Sequence, residues 1–330
     1  MKIWIDVANS PQVALVLPFI KELEEKNYKV LVTSRPHANT EQLLVQSNIN
    51  FYSIGDHYGS SKLAKILGLL RRSFSLYKFL KNQEVSCAFS QSSFYSPLVS
   101  FFLGINSIYT NDNEFAKGNY IAALFATKCY FPHSWPEIYL KKMHKTNLYM
   151  GVKESIYMSN FICPSTNSDK IYYRPEAWDA EYYNEVDSKK ITNMLSILSS
   201  ISVLVILPRN DNQAKFFRSL GNDNIIVEDK PLTLDKIVSD AMLFVGSGGS
   251  MSRELALTKI PTITCYDHGL LSVDKELINS NILNFIPLSK FDRNYVLNVI
   301  ASKKNKDLKN VFDQGSTFKM NLIKEIEGLS

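Results

Sequence analysis

Histidine and cysteine are scarce in this chain, five and four among 330 residues. Cys87, Cys129, Cys163 and Cys265 stand far apart, and neither they nor the histidines fall at metal-site spacings. No Asp-x-Asp pair occurs either. These absences exclude a disulfide scaffold and a zinc centre, and no metal or resident cofactor is expected. Three of the cysteines sit in apolar, strand-like segments and are expected to be reduced core residues of a cytoplasmic protein. Long apolar runs are missing too. The longest, "YSPLVSFFLGI" at 95–105, falls short of the ~18–20 residues a membrane span needs and reads as a buried helix. No secretion signal is expected, because Met1-Lys2 runs straight into a strand ending at Asp6. Nor is there a strong excess of one charge: 37 Lys and Arg against 32 Asp and Glu leave +5. The short basic runs at 141–145 and 303–306 read as solvated surface, so no nucleic-acid partner is expected.

What is present is a regular alternation. "KIWIDVA" (2–8), "KVLVTS" (29–34), "FYSIG" (51–55), "VSCAFSQ" (85–91), "NSIYTND" (106–112) and "KCYFPHS" (128–134) read as strands, with helix-spaced segments between them. The same grammar returns in "SVLVILPR" (202–209), "NIIVED" (224–229), "MLFVGSG" (242–248), "PTITCYD" (261–267) and "LNFIPL". Strands alternating with helices imply βαβ units, parallel sheets, and ligands at the carboxyl ends of the strands. The expected organisation is a first domain over 1–150, a linker over 151–170, a second domain over 171–310, and a helix over 311–330 returning to the first domain. The fold class is α/β, with two doubly wound, Rossmann-like domains and a cleft between them.

Glycine is sparse, 13 in all, yet Gly246, Gly248 and Gly249 fall within four positions of "LFVGSGGSMSREL". A glycine turn between strand and helix brings backbone close to a ligand and presents N–H groups that favour an anion, phosphate first. A tight turn that binds nothing gives the same pattern.

The run "TLDKIVSDAMLFVGSGGSMSRELALTKIPTITCYDHGLLSVDKEL" resembles the second domain of the GT-B fold, shared by many glycosyltransferases and by UDP-N-acetylglucosamine 2-epimerases. The opening "MKIWIDVANSPQV", with "NDNEFA", "MGVKE" and "GSGGSMSREL", resembles a narrower prokaryotic family of GT-B-like proteins, over most of the chain. The resemblance implies a nucleotide-sugar donor, UDP- or CMP-linked, held by the second domain. Ser247, Gly248, Gly249 and Ser250 would meet its phosphates and Glu254 its ribose. Arg253, Arg209 in "VILPRN" and Arg174 in "YYRPEAWD" would serve as phosphate clamps. "VEDKPL" (227–232) would meet the base.

The first domain should hold the acceptor and a base, since transfer to a hydroxyl needs a group to take its proton. Asp112 and Glu114 in "NDNEFA" are favoured, with Asp6 in "DVANSPQ" and His133 after "CYFP" as further candidates. Asn9, Ser10 and Gln12 offer hydroxyl-binding groups, and "NDNE" also reads as a helix cap. Three readings remain. The first is a metal-independent glycosyltransferase delivering sugar to a glycan or lipid-linked acceptor for surface polysaccharide. Its helix 60–83, with Leu67, Leu69, Leu70, Arg71, Arg72, Phe74 and Tyr77, would give peripheral contact with the inner face of the membrane, although the same stripe reads as core. The second is a UDP-sugar 2-epimerase. That family carries a His-Arg pair past the second domain's first strand, whereas "RPEAWD" and "LPRNDN" have no His. The third is a non-catalytic nucleotide-binding protein. His37, His57 and His144 read as surface, and His268 as a possible substrate contact.

Overall fold

The computed structural model describes residues 1–37, 39–56, 62–143, 145–164, 169–176, 188–267, 269–302 and 307–330, with backbone alone at 62–66 and 188. His57, His144, His268 and the basic run at 303–306 lie outside the described residues. The chain forms two compact units, Met1–Ser159 with Val311–Ser330, and Asn160–Asn310.

Unit 1 runs β1 (Lys2–Val7), α1 (Pro11–Glu25), β2 (Lys29–Ser34), α2 (Thr40–Gln46), β3 (Phe51–Ser53), α3 (Lys62–Leu80), β4 (Cys87–Gln91), α4 (Tyr95–Leu103), β5 (Asn106–Thr110), α5 (Gly118–Phe125), β6 (Lys128–Pro132), α6 (Glu137–Leu140), β7 (Thr146–Tyr149) and α7 (Ser155–Met158). Unit 2 follows with β8 (Lys170–Arg174), α8 (Ser188–Ser199), β9 (Val203–Ile206), α9 (Asp211–Arg218), β10 (Ile225–Val227), α10 (Leu234–Asp240), β11 (Ala241–Gly246), α11 (Ser250–Ala256), β12 (Thr262–Cys265), α12 (Ser272–Asn279), β13 (Asn284–Ile286) and α13 (Arg293–Ala301). The last helix, α14 (Lys309–Leu329), returns to unit 1. The stretch 147–170, read from sequence as mostly linker, holds most of β7 and all of α7.

Both sheets are parallel among the described residues. Their orders are β3-β2-β1-β4-β5-β6-β7 and β10-β9-β8-β11-β12-β13. Strand order reverses between β1 and β4 in one sheet and between β8 and β11 in the other. These are the switch points where such sheets bind ligands.

A parallel sheet is buried on both faces, and β1 shows how the sequence meets that demand. Ile3, Ile5 and Val7 pack on one side with Phe19, Leu23 and Ile326. Trp4 points to the other side, against Leu76, Leu80 and Val99. Two helices on that second side differ from their sequence reading. In α4 the small residues Ser96, Pro97, Val99 and Ser100 face inward, and Phe101 and Phe102 are exposed. In α3 Leu76 and Leu80 are core, whereas Leu67, Leu70 and Phe74 are exposed. Arg72, grouped by sequence with the membrane-facing side chains, is buried.

Helix α14 closes the first side of unit 1. Phe318, Leu322, Ile323 and Ile326 enter the core, and the Phe318 ring stacks on Tyr149 at 3.8 Å. Gly315 permits the approach: a Cβ there would stand 2.7 Å from the Ser155 carbonyl carbon and 2.9 Å from the Ile156 nitrogen. Alanine is the better helix former by about 1 kcal/mol, but here its methyl meets backbone. Gly315→Ala is therefore expected to lower stability, by about 1–3 kcal/mol as for other overpacked sites. Urea unfolding checks this; a gain in stability would contradict the close approach.

Candidate active site

In unit 1 the polar groups gather where strands end. Asp6 sits in β1, fully buried, with both carboxylate oxygens engaged. Arg72 donates from Nη1 to Oδ2 at 2.9 Å and from Nη2 to Oδ1 at 2.8 Å. Thr33 donates to Oδ1 at 2.6 Å, and the Ser93 hydroxyl donates to Oδ2. Burial alone pushes the Asp6 carboxyl up; the Arg72 charge and these hydrogen bonds outweigh it and hold the pKa below the ordinary 3.8. Arg72 also donates to the Ile54 carbonyl at 3.0 Å and lies 4.4 Å over the Tyr95 ring. This is an anchor rather than an accessible base.

Asn9, Ser10 and Gln12, at the start of α1, are likewise engaged locally. Gln12 Oε1 accepts from the Ala8 and Asn9 amides at 2.6 and 3.1 Å, and Ser10 donates to Asn39 at 2.6 Å.

Asp112 and Glu114 follow β5 and are both buried. The loop that carries them is braced internally. Asn111 Nδ2 donates to Tyr109 at 2.8 Å and to Asn119 Oδ1 at 2.6 Å, and Asn119 Nδ2 donates to the Asn113 carbonyl at 2.8 Å. The segment does not cap α5, whose N-cap is Lys117 with no side-chain cap bond. Gln91, at the end of β4, donates to Asp112 Oδ1 at 3.0 Å.

Lys153 then closes on the other Asp112 oxygen and lies 3.0 Å from Glu154. Residues from the ends of β4, β5 and β7 thus make one buried charged cluster. The motif "MGVKE" contains Lys153, to which the sequence alone assigns no role. The signal available was a Lys-Glu pair just past a glycine, and Gly151 does take φ +78°. His133 follows β6, exposed, with its amide bound to the Tyr149 carbonyl at 2.7 Å.

Unit 2 presents a different set. Gly246 ends β11 beside Arg174, its register partner on β8. A Cβ at Gly246 would stand 2.3 Å from Ser252 Oγ, so that glycine is a packing requirement. Gly248 and Gly249 serve conformation, with φ of +76° and +87°. Among the described residues nothing lies within 4 Å of where a Gly249 Cβ would stand. Gly249 is the N-cap of α11, with Ser250 its first residue and Glu254 half-buried on it.

Arg174 Nη1 donates to the Leu207 and Pro208 carbonyls, each at 2.8 Å. Arg209 Nε donates to the Pro175 carbonyl at 2.8 Å. Burial, then the nearby Arg209 charge, lowers the Arg174 pKa to about 10. Burial raises neighbouring Glu176 to about 7, against the pull of Arg209. Arg253 is buried against Asp274, Nη1 to Oδ1 2.9 Å, and ties α11 to α12. The "VEDKPL" segment follows β10, the edge strand, two strands from the switch point. Among the described residues no group of three or more His, Cys, Asp or Glu side chains is arranged to hold a metal ion.

The structure therefore brings Asp112 together with Gln91 and Lys153, and sets Arg174 at the switch point, where its carbonyl accepts from the Ser247 amide at 3.2 Å, with Arg209 past β9 on the other side of β8. It leaves Asp6 and Arg253 inside separate buried ion pairs.

Two doubly wound units with these strand orders define the GT-B class. The UDP-GlcNAc 2-epimerase of Methanocaldococcus jannaschii, solved with UDP-GlcNAc and UDP, matches with a TM-score of 0.72 at 14% identity, covering 99% of both chains. The spinosyn forosaminyltransferase SpnP matches with a TM-score of 0.61 at 11% identity, over 99% of this chain and 95% of its own. An uncharacterised protein of Methanocaldococcus jannaschii is 25% identical over 300 residues, 85% of this chain and 86% of that protein. The chain belongs to the family described as "Protein of unknown function (DUF354)", which it matches over residues 1–320.

The Asp6 anchor gives a direct test. In Arg72→Met the buried carboxylate loses its counter-charge, and stability is expected to fall by about 3–5 kcal/mol near neutral pH. The deficit should shrink as pH falls through the carboxylate range, because a protonated Asp6 no longer requires the cation. Chemical unfolding across pH measures both; a deficit independent of pH would contradict the pair.

Proposed function

We propose that this protein is a glycosyltransferase that takes sugar from a UDP- or CMP-linked donor and delivers it to a glycan or lipid-linked acceptor in surface polysaccharide synthesis. It needs neither metal nor resident cofactor and works in the cytoplasm, with peripheral contact at the inner face of the membrane. The observation that carries the reading is the Ser247–Ser250 turn at the β8/β11 switch point, with two glycines in left-handed backbone and Arg174 at the end of the adjoining strand.

In this reading the amides of the turn and the first turn of α11 receive the diphosphate. The Arg174 and Arg209 guanidiniums, each a fork of five N–H donors, add positive charge from the ends of β8 and β9. Glu254 receives the ribose hydroxyls. Arg253 acts one step back, holding α11 through Asp274. A sugar-nucleotide complex of a relative with the same fold supports the ligand class.

The acceptor base is Asp112 or Glu114. Lys153 and Gln91 hold the Asp112 carboxylate in place. His133, exposed past β6, is the alternative base. A second reading, UDP-sugar 2-epimerisation, is favoured by the same cluster, because a carboxylate can take the proton of a sugar carbon while the C–H electron pair expels UDP from the neighbouring carbon, and UDP then adds back with the proton returned from the other face.

Two variants test the assignment. At Gly249, with φ +87° and ψ −179°, a side chain strains the turn by about 1–3 kcal/mol. Gly249→Ala is expected to abolish the rise in melting temperature that UDP gives the wild type, while the ligand-free protein stays folded. An undiminished rise would remove the turn from the donor site. Asp112→Asn is expected to keep that UDP response and to reduce turnover by ~100-fold or more. Full activity would pass the base to Glu114 or His133. Product analysis with UDP-N-acetylglucosamine separates epimer from transferred sugar, and UDP binding without any product identifies a non-catalytic binder.

A further inference from the structure

Helices α3, α4 and α5 cover one face of the unit 1 sheet in that order, α3 against α4 and α4 against α5. Their inward sides are core. Their outward sides carry Leu67, Leu70, Phe74, Phe101, Phe102 and Leu124, exposed by 52–65%. Elsewhere among the described residues, large exposed apolar side chains are scattered along separate elements.

The outward rings of α4 meet α5. Phe101 and Phe102 lie 5.2 and 6.3 Å from the Phe125 ring, and 5.6 Å from each other. On α3 the residues Leu67, Leu70, Arg71, Phe74 and Lys78 follow helical spacing along one stripe. The Lys78 ammonium sits 4.6 Å over the Phe74 ring. An apolar patch of this kind marks an interaction site.

Charge selects the partner. The sequences of α3, α4 and α5 contain no Asp and no Glu. Arg71 and Lys78 are exposed within the stripe, and Lys81 and Lys117 are exposed just past α3 and just before α5. A second copy of the chain would place cations against cations in a two-fold contact, which is unfavourable. A lipid surface with anionic headgroups meets both properties at once, taking the rings at its interface and the cations at its phosphates. No described helix is long and apolar enough to cross a membrane, so the attachment is superficial.

We propose that the outer face of α3, α4 and α5 docks on a membrane surface rich in anionic lipid. The proposal deepens the reading of a lipid-linked acceptor and rests on it for its biological use. Vesicle binding is measured without donor or acceptor, so either can fail alone.

The test is flotation of the purified full chain with vesicles of phosphatidylcholine containing about one third phosphatidylglycerol, and with phosphatidylcholine alone. The wild type is expected to float with the anionic vesicles, at least tenfold more than with the neutral ones, and to be released as salt is raised. Phe101→Ser/Phe102→Ser/Leu124→Ser and, separately, Arg71→Glu/Lys78→Glu are each expected to lose at least tenfold of that binding. Both should keep the wild-type melting temperature and UDP response, because every changed side chain is exposed. Wild type remaining with the unbound fraction, or variants floating undiminished, overturns the proposal. So does a concentration-dependent dimer in sedimentation that the same substitutions abolish, which would assign the face to a second copy.

Discussion

The Asp6–Arg72 pair is the constraint on which unit 1 depends. Hydrophobic contact alone would press α3 onto the sheet without fixing where it sits, because it has little direction. A guanidinium meeting a carboxylate at two points does fix it. The same buried centre also takes in Thr33 on β2, Ser93 past β4 and the Ile54 carbonyl past β3. Five separate segments are thereby held in one register. Gly55, at φ +91°, lies so close that a Cβ would stand 2.9 Å from Arg72 Cγ. Removing two charges from water costs several kcal/mol each, and only this density of hydrogen bonds offsets that cost.

Two neighbouring residues at the end of β4 face different partners: Ser93 bonds Asp6 and Gln91 bonds Asp112. A structural pair and a candidate catalytic cluster thus share one strand end. Among the described residues, the switch point of unit 2 offers amides and a guanidinium, with carbonyl oxygens orienting the latter.

Much of this architecture is legible in the sequence, because strands buried on both faces must be apolar runs. β1, β9 and β11 announce themselves that way. "TNLY" of β7 is short, with two polar residues of four, and had no such signal. The glycine turn was also legible, since left-handed backbone restricts residue choice. The exposed side of α4 was not. Periodicity identifies an apolar helix, but Ser96 and Ser100 rather than the phenylalanines fit against the neighbouring layer. The pairing of Asp6 with Arg72 across 66 positions, and of Asp112 with Lys153 across 41, depends on topology that no local pattern contains.

Helix α14 has a consequence for the order in which the molecule is made. Phe318, Leu322 and Ile326 enter the same core as Ile3 and Ile5, so the earliest strand and the last helix of the sequence complete one another. Unit 2 is contiguous in the chain and can fold as it leaves the ribosome. The unit begun first must hold an uncovered apolar face through the synthesis of everything between. That interval, rather than the finished protein, is when a chaperone has the most surface to shield.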